Sequence, residues 1–160
     1  MNQVKTIEFI SDFALIDVIT TKFAIYDNAA KNGYGLSDIN YNTQFGFDVN
    51  FLYNIQDELL KVETIIQLEL RDEHAKAIGI SADFTFDTVF EVKNFSDRFP
   101  SFPKGNDINT EELALLVKLC NLSFGTIRGL LIEKTNNTAL AGFILPFITD
   151  ESFAKIIQDK

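Results

Sequence analysis

The sequence predicts an α+β fold: a four-stranded antiparallel sheet with a long helix and a short C-terminal helix packed on one face. Three long segments alternate apolar and polar residues, the pattern of half-buried strands, and a turn-like RDEHAK segment joins the last two. After residue 109 the apolar spacing changes to the helical period. The length of 160 residues suits one domain, so we expect a single domain spanning 1–160.

The alternating segments are expected to form three consecutive strands, over residues 45–53, 62–70 and 78–92. Because short polar turns join adjacent strands, we expect antiparallel pairing. The third segment is about fifteen residues long, well beyond the usual length of a strand. We therefore expect it to bend near Gly79 or to cross a subunit boundary. A strand around Val4 to Phe13 is expected to complete the sheet.

Two irregular segments interrupt these patterns. Residues 27–44 are rich in Asn and Gly and predict a surface loop. Residues 94–109 contain Phe95, Phe99 and Phe102, together with two of the three prolines. Loops of this length in a compact domain are usually functional or mobile. We expect these phenylalanines to pack over the core as a lid or against a partner.

The long helix is expected to begin at a capping box formed by Asn109 and Glu112 and to run to about Lys134. Its apolar side chains occupy two faces, and one sheet cannot cover both. We therefore expect one face to contact the sheet and the other to contact another subunit. The residues assigned to this oligomer interface are Leu116, Cys120, Phe124 and Arg128.

Arg128 is the one charge in the apolar half of this helix, and we expect it to pair with a carboxylate. The FILP segment that follows the helix suggests a short apolar strand. A final amphipathic helix is expected from Asp150 to Gln158.

Composition narrows the possible functions. The net charge of −9 argues against a nucleic-acid partner, because phosphate binding requires clustered Lys and Arg. The single cysteine cannot form an intramolecular disulfide. The N-terminus does not have the pattern of a secretory signal, and no apolar run approaches the length of a membrane span. We expect a cytoplasmic protein that does not insert into membranes.

No motif indicates catalysis, so we expect no catalytic residue, metal site or cofactor. The lone histidine, His74, lies in the predicted turn, and neither a P-loop nor a nucleophile elbow is present. Acidic residues recur on the polar faces of the strands and indicate either a solvated surface or a docking face for a basic domain. These residues are Glu63, Glu69, Asp83, Asp87 and Glu91.

The segment from Phe124 to Phe153, FGTIRGLLIEKTNNTALAGFILPFITDESF, resembles the C-terminal half of the bacterial export chaperone SecB. FGFDVN at residues 45–50 is similar to the second strand of that family, and FEV at 90–92 to the end of its fourth strand. The order of predicted elements also matches. Asp87 and Thr88 stand where the family has a glycine pair, and the family's tail after the last helix is nearly absent.

The resemblance implies an ATP-independent holdase that binds unfolded preproteins and assembles as a homotetramer, a dimer of dimers. It implies that Asp83 docks the translocation motor SecA, a partner whose family contact also uses the shortened tail. It places the client-binding groove at Phe45, Phe47, Val49, Phe153 and Ile157. Two alternatives remain: a SecB-like chaperone dedicated to an antitoxin or another single partner, and a protein that binds a small apolar ligand in a Phe-lined pocket.

Overall fold

A computed structural model of the protein describes residues 13–35, 41–105 and 107–160. One antiparallel sheet of four strands has the order β1-β4-β3-β2. The strands are β1 (Phe13–Asp27), β2 (Asn42–Asn54), β3 (Leu59–Arg71) and β4 (Ala77–Val92). The predicted fold class is confirmed, and the three predicted alternating strands correspond to β2, β3 and β4.

Three α-helices follow the sheet: α1 (Phe95–Arg98), α2 (Thr110–Thr135) and α3 (Asp150–Gln158). Short 3-10 turns occupy Ala30–Asn32 and Phe102–Lys104. The predicted capping box is confirmed, because the Asn109 side chain accepts hydrogen bonds from the first turn of α2 and the Glu112 carboxylate accepts one from the Asn109 N–H. The predicted bounds of α3 are also confirmed.

Strand β1 lies C-terminal to the strand expected around Val4 to Phe13. Residues 4–12 are outside the described part of the chain, and β1 begins at Phe13 and ends at Asp27. Its pairing with β4 shifts register between Leu15 and Asp17 and again between Thr20 and Lys22. Each irregularity changes which face the following side chains occupy, so the strand has no continuous alternation for sequence analysis to detect.

Strand β4 is irregular at Gly79, where a bend is expected. Gly79 has a φ of +93°, and the β3–β4 register is interrupted beside it, between Glu69 and Arg71. A Cβ atom at Gly79 would lie 2.3 Å from the Asn32 side-chain nitrogen and 3.1 Å from the backbone of Asn28. Glycine is therefore required both by the backbone conformation and by the close approach of the segment after β1.

The core lies between the sheet and α2. Side chains at the even positions of β3 and β4 are buried, and Phe84, Phe86 and Phe90 are fully enclosed. The hydroxyls of Thr88 and Ser123 form a hydrogen bond within this layer and join β4 to α2. This packing fixes α2 across the sheet. Strands β1 and β2 form the two edges of the sheet.

The FILP segment does not form the short strand that its apolar composition suggested. Residues 143–149 have neither helical nor strand structure. Leu140 and Leu145 anchor this connection in the core, with 3% and 1% of their surface exposed. A strand requires a neighbouring backbone, and Pro146 lacks the N–H that a ladder would use.

Helix α2 corrects the expectation that no apolar segment has the length of a membrane span. By length and composition its 26 residues are sufficient, and 44% of the most apolar stretch is buried inside the protein. The sequence search required an uninterrupted apolar run, whereas α2 contains spaced polar residues such as Lys118 and Asn121. Packing against the sheet accounts for the buried part of this apolar surface.

Candidate functional site

Strand β2 presents aromatic side chains to the helices along one edge of the sheet. Phe45 and Phe47 are half-buried and stack on each other with ring centroids 5.7 Å apart. Phe47 also makes edge-to-face contacts with Phe124 of α2 at 5.4 Å and with Phe153 of α3 at 5.6 Å. We call these four residues the aromatic cluster. Such contacts pack α2 and α3 against β2.

An apolar cleft of about 380 Å³ opens at the start of β2, and we call it the Tyr41 cleft. Its sheet side is formed by Tyr41, Thr43, Phe45 and Leu70, and its other side by residues 139–144 and Pro146. Tyr41 and Ile144 remain 46% and 54% exposed at its rim. The cleft therefore offers accessible apolar surface that ends against the aromatic cluster at Phe45.

A smaller cleft of about 180 Å³ lies on the other side of Pro146, between α2 and α3, and we call it the Phe147 cleft. It is bordered by Phe124 and Phe153 of the aromatic cluster. Phe147 is 85% exposed, and the Arg128 guanidinium lies 3.9 Å from the centroid of its ring. The expected carboxylate partner of Arg128 is not found within the described residues, where its contact is this aromatic ring.

A third cleft, of about 420 Å³, lies at the far end of β2 and is lined by Phe51, Tyr53, Phe102 and Ile108, among others. We call it the Phe51 cleft. The Tyr53 hydroxyl donates a hydrogen bond of 2.9 Å to the Phe102 carbonyl, which ties the strand to the 94–109 loop. Phe95 and Phe99 of this loop are buried, which confirms that the loop packs over the core.

Glu112 secures the same loop to the start of α2. Its fully buried carboxylate accepts hydrogen bonds from the Ser101 N–H at 2.7 Å, the Ser101 hydroxyl at 2.6 Å and the Asn109 N–H at 2.9 Å. Burial opposes ionisation, but these hydrogen bonds outweigh it and hold the pKa of Glu112 below its ordinary value of 4.5. An ionised carboxylate thus stabilises the wall of the Phe51 cleft.

The five predicted client-binding residues lie on the facing surfaces of β2 and α3, but they do not line one open groove. Phe45 and Phe47 are half-buried, and the other three belong to the core. Val49 is 1% exposed, Phe153 1% and Ile157 4%. The open apolar surface lies instead in the clefts on either side of them, because α3 packs directly on the middle of β2.

Sequence analysis missed Tyr41, Ile144 and Phe147. Tyr41 lies in the predicted surface loop, Ile144 lies in the predicted FILP strand, and Phe147 directly follows that strand. The available signal is the run of apolar residues around Pro146, which predicts a short strand. Their exposure depends on how the connection between α2 and α3 crosses the end of β2.

Three of the four residues assigned to the oligomer interface are enclosed within the chain. Leu116, Cys120 and Phe124 are 0%, 0% and 5% exposed, whereas Arg128 is half-exposed. The face of α2 that carries these three residues meets the sheet, so they offer no area to a second subunit. Burial also raises the pKa of the Cys120 thiol to about 12, which keeps it protonated and unreactive.

The opposite face of the sheet carries the acidic residues. Asp83 lies there, with its carboxylate 3.1 Å from the Lys22 ammonium and 3.4 Å from the Gln67 amide nitrogen. Asp87 is more buried and pairs with Lys61 at 2.8 Å. The His74 side chain is 82% exposed, and the described residues include no group of three His, Cys, Asp or Glu placed to hold a metal ion.

No protein-family model and no curated protein matches the chain. A solved structure from Mycobacterium tuberculosis, a SecB-like chaperone in complex with a ChAD peptide from the HigA1 antitoxin, matches 86% of this chain and 91% of its own. Its TM-score is 0.58 and its sequence identity is 15%. The fold of this chain is therefore SecB-like.

A protein of unknown function from Streptococcus agalactiae is also similar, at 13% identity over 84% of this chain and 97% of its own. Its TM-score of 0.39 is too low to indicate a shared fold.

Proposed function

We propose that this protein is an ATP-independent holdase chaperone that binds unfolded or nascent polypeptides along β2. The observation that carries the proposal is the pair of apolar clefts at the two ends of β2, the Tyr41 cleft and the Phe51 cleft, on a SecB-like fold. Exposed apolar clefts favour a role in binding. We propose no enzymatic activity and no cofactor.

The geometry of β2 suits an extended client. Within the described residues β2 pairs only with β3, so its other edge offers backbone N–H and C=O groups to an added strand. The 13 residues of β2 span about 40 Å at the usual strand rise. One extended segment is long enough to reach both clefts with its apolar side chains.

The energy for such binding comes from burial of apolar surface. Each square ångström of apolar area removed from water contributes about 25 cal/mol, and part of this gain is lost in ordering the client. Recognition that rests on backbone groups and shallow apolar clefts places little demand on client sequence. Such binding requires no nucleotide, because burial of apolar surface supplies its free energy.

We further propose a cytoplasmic role in protein export, in which the clients are preproteins and SecA is a partner. The acidic sheet face supports docking of a basic domain. A second candidate is a chaperone for one dedicated partner. It is supported by the solved SecB-like protein that holds an antitoxin peptide. A third candidate is a protein that binds a small apolar ligand, since the Tyr41 cleft has the volume of a small-molecule site.

Suppression of the aggregation of an unrelated unfolded protein, without nucleotide, tests the holdase proposal. Replacement of both Tyr41 and Ile144 by Ser is expected to abolish suppression by the Tyr41 cleft while leaving the circular dichroism unchanged, because both side chains are about half exposed. Leu52→Ser is the matched control: Leu52 is 49% exposed but lies on the other face of β2. It is expected to retain full suppression.

Other outcomes favour the alternatives. If the wild-type protein does not suppress aggregation but binds the product of a neighbouring gene, the dedicated partner replaces the general holdase. A lipid-like molecule that co-purifies with the protein, detected by mass spectrometry and lost in the Tyr41→Ser, Ile144→Ser variant, supports the small-ligand candidate.

A further inference from the structure

Residues 144–148 separate two clefts that share an aromatic floor, and we call this segment the strap. Pro146 lines both the Tyr41 cleft and the Phe147 cleft. Phe45 borders the first cleft and Phe124 the second, and their ring centroids are 6.3 Å apart. The two clefts are therefore divided by the strap and not by the aromatic cluster beneath it.

The strap is held by side chains. Among the described residues, the backbone–backbone hydrogen bonds of this connection stop at Phe143, whose N–H donates to the Leu140 carbonyl, and resume at Ser152. Leu145 is buried at 1% exposure, and Ile148 packs against the core as a half-buried residue. Segments with few backbone hydrogen bonds open at lower free energy than the elements around them.

The contact between Arg128 and Phe147 holds the exposed part of the strap. Phe147 is 85% exposed, so little of its ring is covered by apolar neighbours, and the Arg128 guanidinium lies 3.9 Å from the ring centroid. Gly125 and Gly129 lie close to Arg128 on α2. The space beside both glycines is open, since a Cβ atom at either position would meet nothing within 4 Å. A solvent-exposed cation–π contact is weak and therefore reversible.

We propose that the Arg128–Phe147 contact is a latch that keeps the strap closed over the aromatic cluster. Displacement of the strap joins the Tyr41 and Phe147 clefts into one groove with Phe45, Phe124 and Phe153 on its floor. The role of this latch in admitting a polypeptide rests on the proposed function. The closed strap shields aromatic surface when no client is bound, and an arriving apolar segment takes the place of its buried side chains.

Thiol–disulfide exchange of a Leu145→Cys variant with a small aromatic disulfide tests the latch without any client, because position 145 is 1% exposed and reacts only when the strap opens, whereas the native Cys120 is buried. In this background Arg128→Gln and Phe147→Ala are each expected to speed exchange in the strap by roughly two- to fivefold, the range for loss of an exposed cation–π contact. The double variant is expected to exchange no faster than either single variant, because one contact is lost in all three. Phe147→Tyr retains an aromatic face and is expected to match the wild type.

Lys134→Gln is the matched control, because Lys134 makes a comparable contact on the same helix, 5.6 Å from the centroid of the Phe23 ring and away from the strap. It is expected to leave exchange in the strap unchanged. Unchanged exchange in both Arg128→Gln and Phe147→Ala would overturn the latch. Additive effects in the double variant would also overturn it, since the two residues would then act separately.

Stopped-flow binding of reduced, carboxymethylated lactalbumin, a permanently unfolded protein, tests the consequence. Arg128→Gln is expected to raise the association rate by roughly two- to fivefold, in proportion to the increased open population. Faster exchange without binding by any variant would support the latch and reject the proposed function. Loss of binding in Phe147→Ala with unchanged exchange would make Phe147 a client contact and overturn the latch.

Discussion

Glu112 and Ser101 illustrate how single residues fix the loop that forms one wall of the Phe51 cleft. Glu112 is a capping residue that sequence analysis identified, but its second role, accepting two hydrogen bonds from Ser101, depends on a contact across the loop. The capping pattern is local in sequence and was predictable. The Ser101 contact joins residues eleven positions apart and has no sequence signature.

We predict that Glu112→Gln lowers the free energy of unfolding at neutral pH by about 1–3 kcal/mol, the cost of disturbing buried hydrogen bonds to a charged group. Urea unfolding measures this change. Glu111→Gln is the control, because Glu111 lies in the same first turn but is exposed. Equal stability of the two variants would contradict the prediction.

The lowered pKa of Glu112 predicts that the stability of the fold depends on pH. The pKa of Glu112 is lower in the folded protein than its ordinary value of 4.5, so the unfolded chain takes up a proton first as the pH falls. The stability that ionised Glu112 contributes is therefore complete above this value and is lost as the pH falls through the folded pKa. Acid unfolding curves of Glu112→Gln should therefore show a smaller loss of stability than those of the wild type as the pH falls from the ordinary pKa of Glu112 to its folded pKa.

At the scale of elements, β3 and β4 combine a buried face and an acidic face. The alternation that predicted these strands also predicted the two faces, and Asp83 lies on the expected one. The extent of burial differs along that face, since the side chain of Asp83 is 32% exposed and that of Asp87 is 9%. The periodicity assigns a side chain to a face, whereas the neighbouring strands determine how much water reaches it.

We predict that Asp83→Arg changes stability by no more than about 1 kcal/mol, because an exposed ion pair contributes little. Thermal unfolding checks this, and Asp87→Ala is the contrasting variant: it leaves the Lys61 ammonium without its partner and is expected to cost more. If the acidic face docks SecA, Asp83→Arg should weaken that association, and wild-type binding should decrease as salt rises. If SecA binds neither the wild type nor the Asp83→Arg variant, the motor has no place in the proposed function.

At the scale of the whole molecule, β1 and the outer face of α2 both expose large apolar residues. Leu15, Ile16, Ile19 and Tyr26 of β1 are each 45–55% exposed, and β1 pairs with only one neighbour within the described part of the chain. Leu122 and Ile132 of α2 are exposed to a similar degree. A long edge strand with exposed apolar side chains tends to self-associate unless another subunit covers it.

We predict that the protein is an oligomer, with a homotetramer built as a dimer of dimers as the expected form, and that β1 and the outer face of α2 supply its interfaces. Light scattering at micromolar concentration should detect it. Replacement of both Ile16 and Ile19 by Lys should dissociate it, because charges would be buried without partners at a symmetric contact. Leu52→Lys, equally exposed on the other edge strand, should not. A wild-type monomer would contradict the prediction.

The sequence by itself determined the fold class, the positions of β2, β3, β4, α2 and α3, and the cap of α2, because each depends on periodicity or on residues a few positions apart. The tertiary structure decided which of these apolar residues remain accessible. Phe153, Cys120 and Phe124 were assigned to a groove or an interface, yet they are buried against the sheet. Exposure depends on which elements pack together, and the two faces of α2 are similarly apolar in sequence. Only their contact with the sheet distinguishes the buried face from the exposed one.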